Sequence, residues 1–169
     1  DVSSEMNLNH NRTEKMVLNK DVPLNNAFSA WLDCHSRELK NNGVENLVIS
    51  VSMENLQCPQ SWRQIDSKGN YAMSGVAPGT FLYSPCNDEA VSYMQNVCEE
   101  CLDIVVANGM KPILQMGETW WWWDSKPYFY DASTKAKYLA EHNYTTSLPV
   151  YIKWTDLYDK TAIAWLNEI

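Results

Sequence analysis

Apolar residues at positions 90, 91, 94, 97, 98, 101, 102 and 105 repeat with the period of one helix face, and this stripe limits the possible folds more than any other feature. Asn87 can cap its start, Asp88 and Glu89 suit the positive end of its dipole, and Gly109 can end it. Lys111 then opens the run Pro112-Ile113-Leu114-Gln115-Met116, which has the length and branching of a buried strand. Ahead of the stripe, residues 80–83 read as another short strand, closed by Ser84-Pro85. Strand, helix and strand with short connections predict a right-handed parallel crossover.

The alternation continues upstream. Residues 46–53, NLVISVSM, are β-branched and bounded by Gly43 and by Glu54-Asn55, which predicts a strand. Before them, Leu24, Phe28, Trp31, Leu32, His35 and Leu39 fall at helical spacing. Asn25 or Asn26 can cap that helix and Gly43 can end it; His35 reads as a packed histidine beside the apolar stripe. Residues 16–18 are a short apolar run, a candidate strand, and residues 1–15 are polar and aperiodic, a loose arm. Downstream, Asp131 caps a short helix to about His142, and Thr155 or Asp156 caps a last one carrying Leu157, Thr161, Ala164 and Trp165. Alternating strands and helices place the chain in the α/β class with a parallel sheet. No linker divides residues 16–169, which are expected to form one domain after the arm.

Residues 56–79 have no sustained period and contain Pro59, Gly69, Gly75, Pro78 and Gly79, so they predict a long ordered loop with room for a small hairpin. Compact domains keep such loops where they cover a site, which makes Trp62, Arg63, Gln64, Asp66 and Tyr71 candidates for lining a cleft.

A formal net charge of −8 argues against nucleic acid or an anionic membrane surface as partner, and no run approaches the ~18 apolar residues of a membrane span. The N-terminus lacks the basic flank and apolar region of a signal peptide, and a start at Asp1 points to processing or an excised piece. Cys98-x-x-Cys101 sits inside the helical stripe with no second pair or nearby histidine, so it reads as buried thiols rather than a redox or zinc site. No metal cluster, phosphate loop or Ser-His-Asp set stands out, and no cofactor is expected.

After Met116 the chain changes character at Gly117-Glu118, and four tryptophans follow, Trp120 to Trp123. Adjacent indoles point in different directions, so at least one or two must line a surface or cleft. An acid at the end of a buried strand, followed by aromatic platforms, suits a sugar-binding cleft: indole faces stack on pyranose rings while the acid reaches the glycosidic oxygen.

Several stretches resemble one known family. They are Val22-Pro23-Leu24-Asn25-Asn26-Ala27-Phe28, Ser50-Val51-Ser52-Met53-Glu54, Cys58-Pro59 through Trp62-Arg63-Gln64, Gly69, Ser74-Gly75, Pro78 and Leu82-Tyr83-Ser84-Pro85. The most specific is Gln115-Met116-Gly117-Glu118-Thr119-Trp120-Trp121-Trp122, with Tyr130-Asp131-Ala132 after it. Over residues 16–140 the chain resembles a TIM-barrel-like, glycoside-hydrolase-like domain of bacteriophage and prophage tail proteins. The resemblance implies a (β/α) barrel, a virion tail location, and a glycan or oligosaccharide and other phage tail subunits as partners, with homo-oligomerisation open. A complete barrel takes about 250 residues, whereas four candidate strands are legible here, which predicts a central slice of a barrel or a shortened relative.

Glycoside hydrolysis needs two carboxylates, about 5–5.5 Å apart for retention or about 6.5–9.5 Å for inversion. Glu54 and Glu118 each end a strand on the face where barrel active sites lie. Glu118, among tryptophans, is the expected general acid, with a pKa raised by desolvation; Glu54 is the expected nucleophile or base, and the two roles are exchangeable. Trp120, Trp121, Trp122, Trp62, Gln115 and Tyr130 are the expected substrate contacts. A non-catalytic structural or glycan-binding tail domain is the alternative, in which the barrel is kept without chemistry.

Overall fold

An amide or carboxylate side chain starts each described α-helix. Asn25 Oδ1 accepts from the Phe28 amide, Asn87 Oδ1 from Ala90 and Asp131 Oδ1 from Thr134, each taking one of the amide donors that the first turn leaves unpaired. The computed structural model describes residues 4–8, 14–19, 21–55, 59–75, 79–117, 126–143, 148 and 150. In chain order its elements are β1 (Ser4–Leu8), β2 (Glu14–Leu18), α1 (Asn26–Asn41), β3 (Asn46–Ser52), β4 (Glu54–Asn55), β5 (Phe81–Leu82), α2 (Asp88–Ala107), β6 (Lys111–Gly117) and α3 (Ala132–Glu141). Past the C-caps of α1 and α2, Gly43 and Gly109 adopt φ of +82° and +72°, the left-handed turn that lets each chain double back into a strand. The helix expected near the C-terminus lies outside the described residues.

β3 and β6 pair in parallel over seven residues each, in register from Asn46 opposite Lys111 to Ser52 opposite Gly117. Partners in this register share a face, so Val48, Ser50 and Ser52 lie with Ile113, Gln115 and Gly117. Leu47, Ile49 and Val51 lie on the other face, where they pack on the helical core. That core joins Leu24 and Leu32 to Met94, Val97, Cys101 and Val105 of α2, with Trp62, Tyr83 and Met110. Burying Met94, Val97 and Val105 contributes at most ~1.5–3 kcal/mol each. Ser36, fully buried on α1, donates to Leu32 O at 2.7 Å and needs no partner on another element. Trp31 of the same expected stripe is 55% exposed, and the half-buried His35 ring stacks on it at 5.0 Å.

Three expectations change here. First, α2 is the crossover between β3 and β6, and the strand expected at residues 80–83 is not in the parallel sheet. Its two residues, β5, pair antiparallel with β4. About 7 Å of extended chain is too short to span the layer that the seven-residue strands form. Second, residues 59–75, expected as part of a long loop with room for a small hairpin, are paired more widely than one hairpin. Antiparallel bridges join Arg63 to Tyr83, Ile65 to Tyr71 and Met73 to Phe81, and a parallel one joins Ile65 to Phe129, making a small platform on the connection out of β3. Third, residues 4–8 of the expected loose arm form β1, paired antiparallel with β2 from Ser4 opposite Leu18 to Leu8 opposite Glu14. The apolar run at 16–18 therefore pairs locally, with little loop-closure cost, and not with β3. Among the described residues the parallel sheet has two strands, so closure into a barrel is not seen there.

Candidate functional site

The C-terminal ends of β3 and β6 carry small and polar side chains on the face turned away from the helices. Ser50 and Gln115 are direct partners, as are Ser52 and Gly117. A Cβ on Gly117 would stand 3.4 Å from Ser50 Oγ and 3.6 Å from Ser52 Oγ, so the missing side chain leaves a shallow bay beside the two hydroxyls. Ser50 and Gln115 are exposed. The bay can donate to and accept from hydroxyls, and Ser50, Ser52, Gln115 and Gly117 bring it no charge.

The platform follows β3 in the chain, and its strands alternate as a half-buried sheet should. Trp62, Gln64 and Asp66 point inward and Arg63 and Tyr71 outward. Trp62 is 1% exposed; its indole Nε1 donates to Glu89 Oε2 at 2.9 Å, fastening the platform to the first turn of α2. Gln64 Nε2 donates to Tyr83 O at 2.8 Å. The Asp66 carboxylate takes the amides of Lys68 and Asn70 and the Asn70 side chain, closing a turn in which Gly69 has φ of +86°. Burial alone would raise its pKa, but the bonds from Asn70 and Lys68 outweigh it and hold the carboxyl below its ordinary value. On the outer face the Arg63 guanidinium lies 3.6 Å from the Phe81 ring centroid and 4.9 Å from that of Tyr71, a cation–π arrangement.

Under the platform a polar cluster is fully enclosed. Ser84 Oγ donates to Asp131 Oδ1 at 2.9 Å, and Thr134 Oγ1 donates to Asp131 Oδ2 at 2.7 Å. The Cys86 amide donates to Ser84 Oγ at 3.3 Å. Asp131 is thus a helix cap that also ties α3 to the turn after β5, and every polar atom named here is occupied by another, which leaves nothing for a substrate.

The expected site residues divide as follows. Glu118, Trp120, Trp121 and Trp122 lie outside the described residues, as does the side chain of Glu54, whose backbone pairs with Leu82. The separation of the two carboxyls is therefore outside them as well. Gln115 is exposed beside Ser50, on the face where a barrel ligand would sit. Trp62 and Tyr130 do not offer a stacking surface in this conformation, because they are 1% and 3% exposed; Tyr130 packs on Phe129 at 5.0 Å. Trp62 belongs to the main core with Met53 and Tyr83, beside a smaller buried cluster of Ala72, Leu82 and Tyr128. Ser50 and Ser52 were not among the expected contacts, although their alternation with Leu47, Ile49 and Val51 is the signal that separates them from the helical face. No group of three or more potential metal ligands occurs among the described residues.

A family model for the TIM barrel of the non-contractile tail sheath protein matches residues 2–164. The chain belongs to that family. The tail sheath match covers nearly the whole sequence, including the N-terminal hairpin and the residues around the tryptophan run, so it describes the chain and not one motif. It supports the tail and barrel parts of the resemblance, while its description names no hydrolase. No curated protein and no solved structure matches this tail sheath chain. No described helix is long and apolar enough to cross a membrane.

Proposed function

We propose that the chain is a structural domain of a phage virion tail, a segment of (β/α) wall whose open parallel sheet is completed by neighbouring tail subunits. The observation that carries this reading is the exposure of Val48 and Ile113, 52% and 50%, in the middle of the parallel pair. Parallel sheets are normally covered on both faces. Leaving a Val or Ile in water forfeits part of the ~1.5–3 kcal/mol that its burial contributes, so an uncovered apolar row is expected to be an interface. The tail sheath family supplies the setting, and the family's name supplies the class of partner, other tail subunits. The test is incorporation into tails from phage carrying the parent or the Val48→Asp, Ile113→Asp pair. Loss of the domain from sedimented tails, with the purified variant still folded, is the expected result; equal incorporation would refute the reading.

A second reading keeps the glycan. Ser50 and Gln115 are exposed toward the C-terminal ends of their strands, where barrel sites lie, and Glu118 and the tryptophans come next in the sequence. In it Glu118 is the acid, Glu54 the nucleophile or base, and the ligand a surface or cell-wall oligosaccharide. Turnover of peptidoglycan or surface polysaccharide by the parent, lost in Glu118→Gln and Glu54→Gln, would establish it. The structural reading expects no turnover by either form.

A further inference from the structure

The sequence contains two Asn-Gly steps, Asn42-Gly43 and Asn108-Gly109, and the fold puts both in the same kind of place. Asn42 is the C-cap of α1 and Asn108 that of α2, and the glycine after each takes a positive φ, +82° and +72°. An asparagine followed by glycine is the step at which a chain most readily modifies itself, because glycine has no side chain to crowd the attack of its amide nitrogen on the asparagine side chain. What holds the two turns differs. The exposed Asn42 amide donates to Glu38 O at 2.8 Å, within its own helix. The half-buried Asn108 amide donates to Asp33 Oδ1 on α1 and to Ile104 O, both at 2.9 Å. Beyond the glycines, Val44 is 37% exposed, whereas Met110 is 4% exposed and sits in the main core. A Cβ on Gly43 would meet nothing within 4 Å, and one on Gly109 would meet Lys40 Cε at 3.8 Å.

From this contrast we infer that Asn42, and not Asn108, is a site of spontaneous deamidation and isoaspartate formation in the folded chain. The inference goes beyond the tail reading and holds whatever the chain binds. The Gly43 nitrogen attacks Asn42 Cγ; the N–Cγ bond forms, the Cγ–Nδ2 bond breaks, and the proton of that nitrogen leaves with Nδ2 as ammonia. Water then opens the resulting succinimide. Opening at Cγ leaves an aspartate, and opening at the main-chain carbonyl leaves an isoaspartate, with Gly43 joined through Cγ and the main chain longer by a methylene. One water is consumed, one ammonia is released, and nothing is oxidised or reduced. In both turns the attacking nitrogen is engaged, the Gly43 N–H with Lys40 O at 3.0 Å and the Gly109 N–H with Val106 O at 2.8 Å, so each turn must open first. Opening at 42–44 breaks bonds at the end of α1 and moves exposed side chains. Opening at 108–110 also breaks the tie to Asp33 and draws Met110 from the core, which makes it rarer. The product exchanges the donor on Glu38 O for a carboxylate, at a helix end whose dipole disfavours negative charge.

The test incubates the full chain in warm, mildly alkaline buffer, natively folded and in urea. Peptide mapping by mass spectrometry follows the gain of about 1 Da at each asparagine, and isoaspartyl methyltransferase counts the isoaspartate formed. In the native chain Asn42 should convert at least about five-fold faster than Asn108, and in urea the two should agree within about two-fold, because only the fold distinguishes them. Asp33→Ala removes the tie between the helices and should speed Asn108 at least about two-fold while leaving Asn42 unchanged. Gly43→Ala, compared in urea so that its folded-state strain plays no part, should slow Asn42 more than about five-fold. The proposal is overturned if native Asn42 stays intact over the time in which the urea-treated chain converts, or if native Asn108 keeps pace with it. It is equally overturned if Asp33→Ala leaves Asn108 as slow as before, because the hold on that side chain would then not be what protects it.

Discussion

Val48 and Ile113 are direct partners across the parallel pair, on the face opposite the helices, and about half of each remains in water. One residue away on either side of Val48, Leu47 and Ile49 pack against the core. Replacing Val48 and Ile113 by threonine should therefore leave the isolated chain within ~0.5 kcal/mol of its parent in urea unfolding. Ile49→Thr should cost ~1–3 kcal/mol, because it puts a hydroxyl against the apolar side of α2. Equal costs at positions 48 and 49 would show that the faces have been assigned wrongly.

Asp131 should be the most sensitive polar position among the described residues. Its carboxylate caps α3 through the Thr134 amide and accepts from the hydroxyls of Ser84 and Thr134, all enclosed. Asp131→Ala removes the cap and strands two buried donors, which should lower stability by ~2–4 kcal/mol in chemical denaturation. Asp131→Asn keeps one acceptor and should lose less. Neither change should alter a glycan-hydrolysis assay, since the residue caps and does not catalyse.

Burial, helped by the neighbouring Cys98, pushes the Cys101 thiol up to about 11 from its ordinary 9.0, and burial raises Cys98 as well. Below pH 9 the thiols are protonated in both folded and unfolded chains, and stability does not depend on them. As pH rises from 9 toward 11 the unfolded chain ionises Cys101 and the folded chain resists, so stability should fall by on the order of 2 kcal/mol across that window. Urea unfolding at stepped pH checks this, and Cys101→Ala should flatten the slope. In the native protein at pH 8, mass-mapped alkylation should label exposed Cys34 and spare buried Cys86 and Cys101.

Gly43 has φ of +82°, and an added Cβ there would meet nothing within 4 Å. Gly43→Ala should thus cost about 1 kcal/mol, entirely from backbone conformation. A much larger loss in thermal or urea unfolding would mean that the turn into β3 is more crowded than this geometry.

The helices were legible in the sequence because each carries its own start and stop. Asn87 and Asp131 cap as expected, Asn25 rather than Asn26 caps α1, and the 3.6-residue stripe marks the buried side of α2. β3 was legible as a strand from its β-branched run and β6 from its short apolar one. Which strand paired with which was not, because pairing depends on length and tertiary closure that no local signal holds: β5 has two residues, and only its antiparallel contact with β4 reveals that it belongs to the platform. The site was legible only in part. Trp62 and Tyr130 look the same in sequence whether they stack on a ligand or fill a core, and in the structure both are buried. Gln115, an expected substrate contact on a strand that reads as buried, is exposed beside Ser50, a small polar partner. Trp31 was expected on a packed stripe, yet α1 packs through Leu32 and Ser36, with Phe28 and Leu39 partly buried, and leaves that ring beside His35 at the surface.

The most direct measurement is amide hydrogen exchange over β3 and β6, followed by mass spectrometry, in the free chain and in assembled tails. If neighbouring subunits complete the parallel sheet, residues 111–117 should exchange at least about ten-fold more slowly in the tail, with β3 following and α1 unchanged. Identical exchange of β6 in the two states would contradict the account, because an edge that stays as open in the tail as in solution is not where the tail is joined.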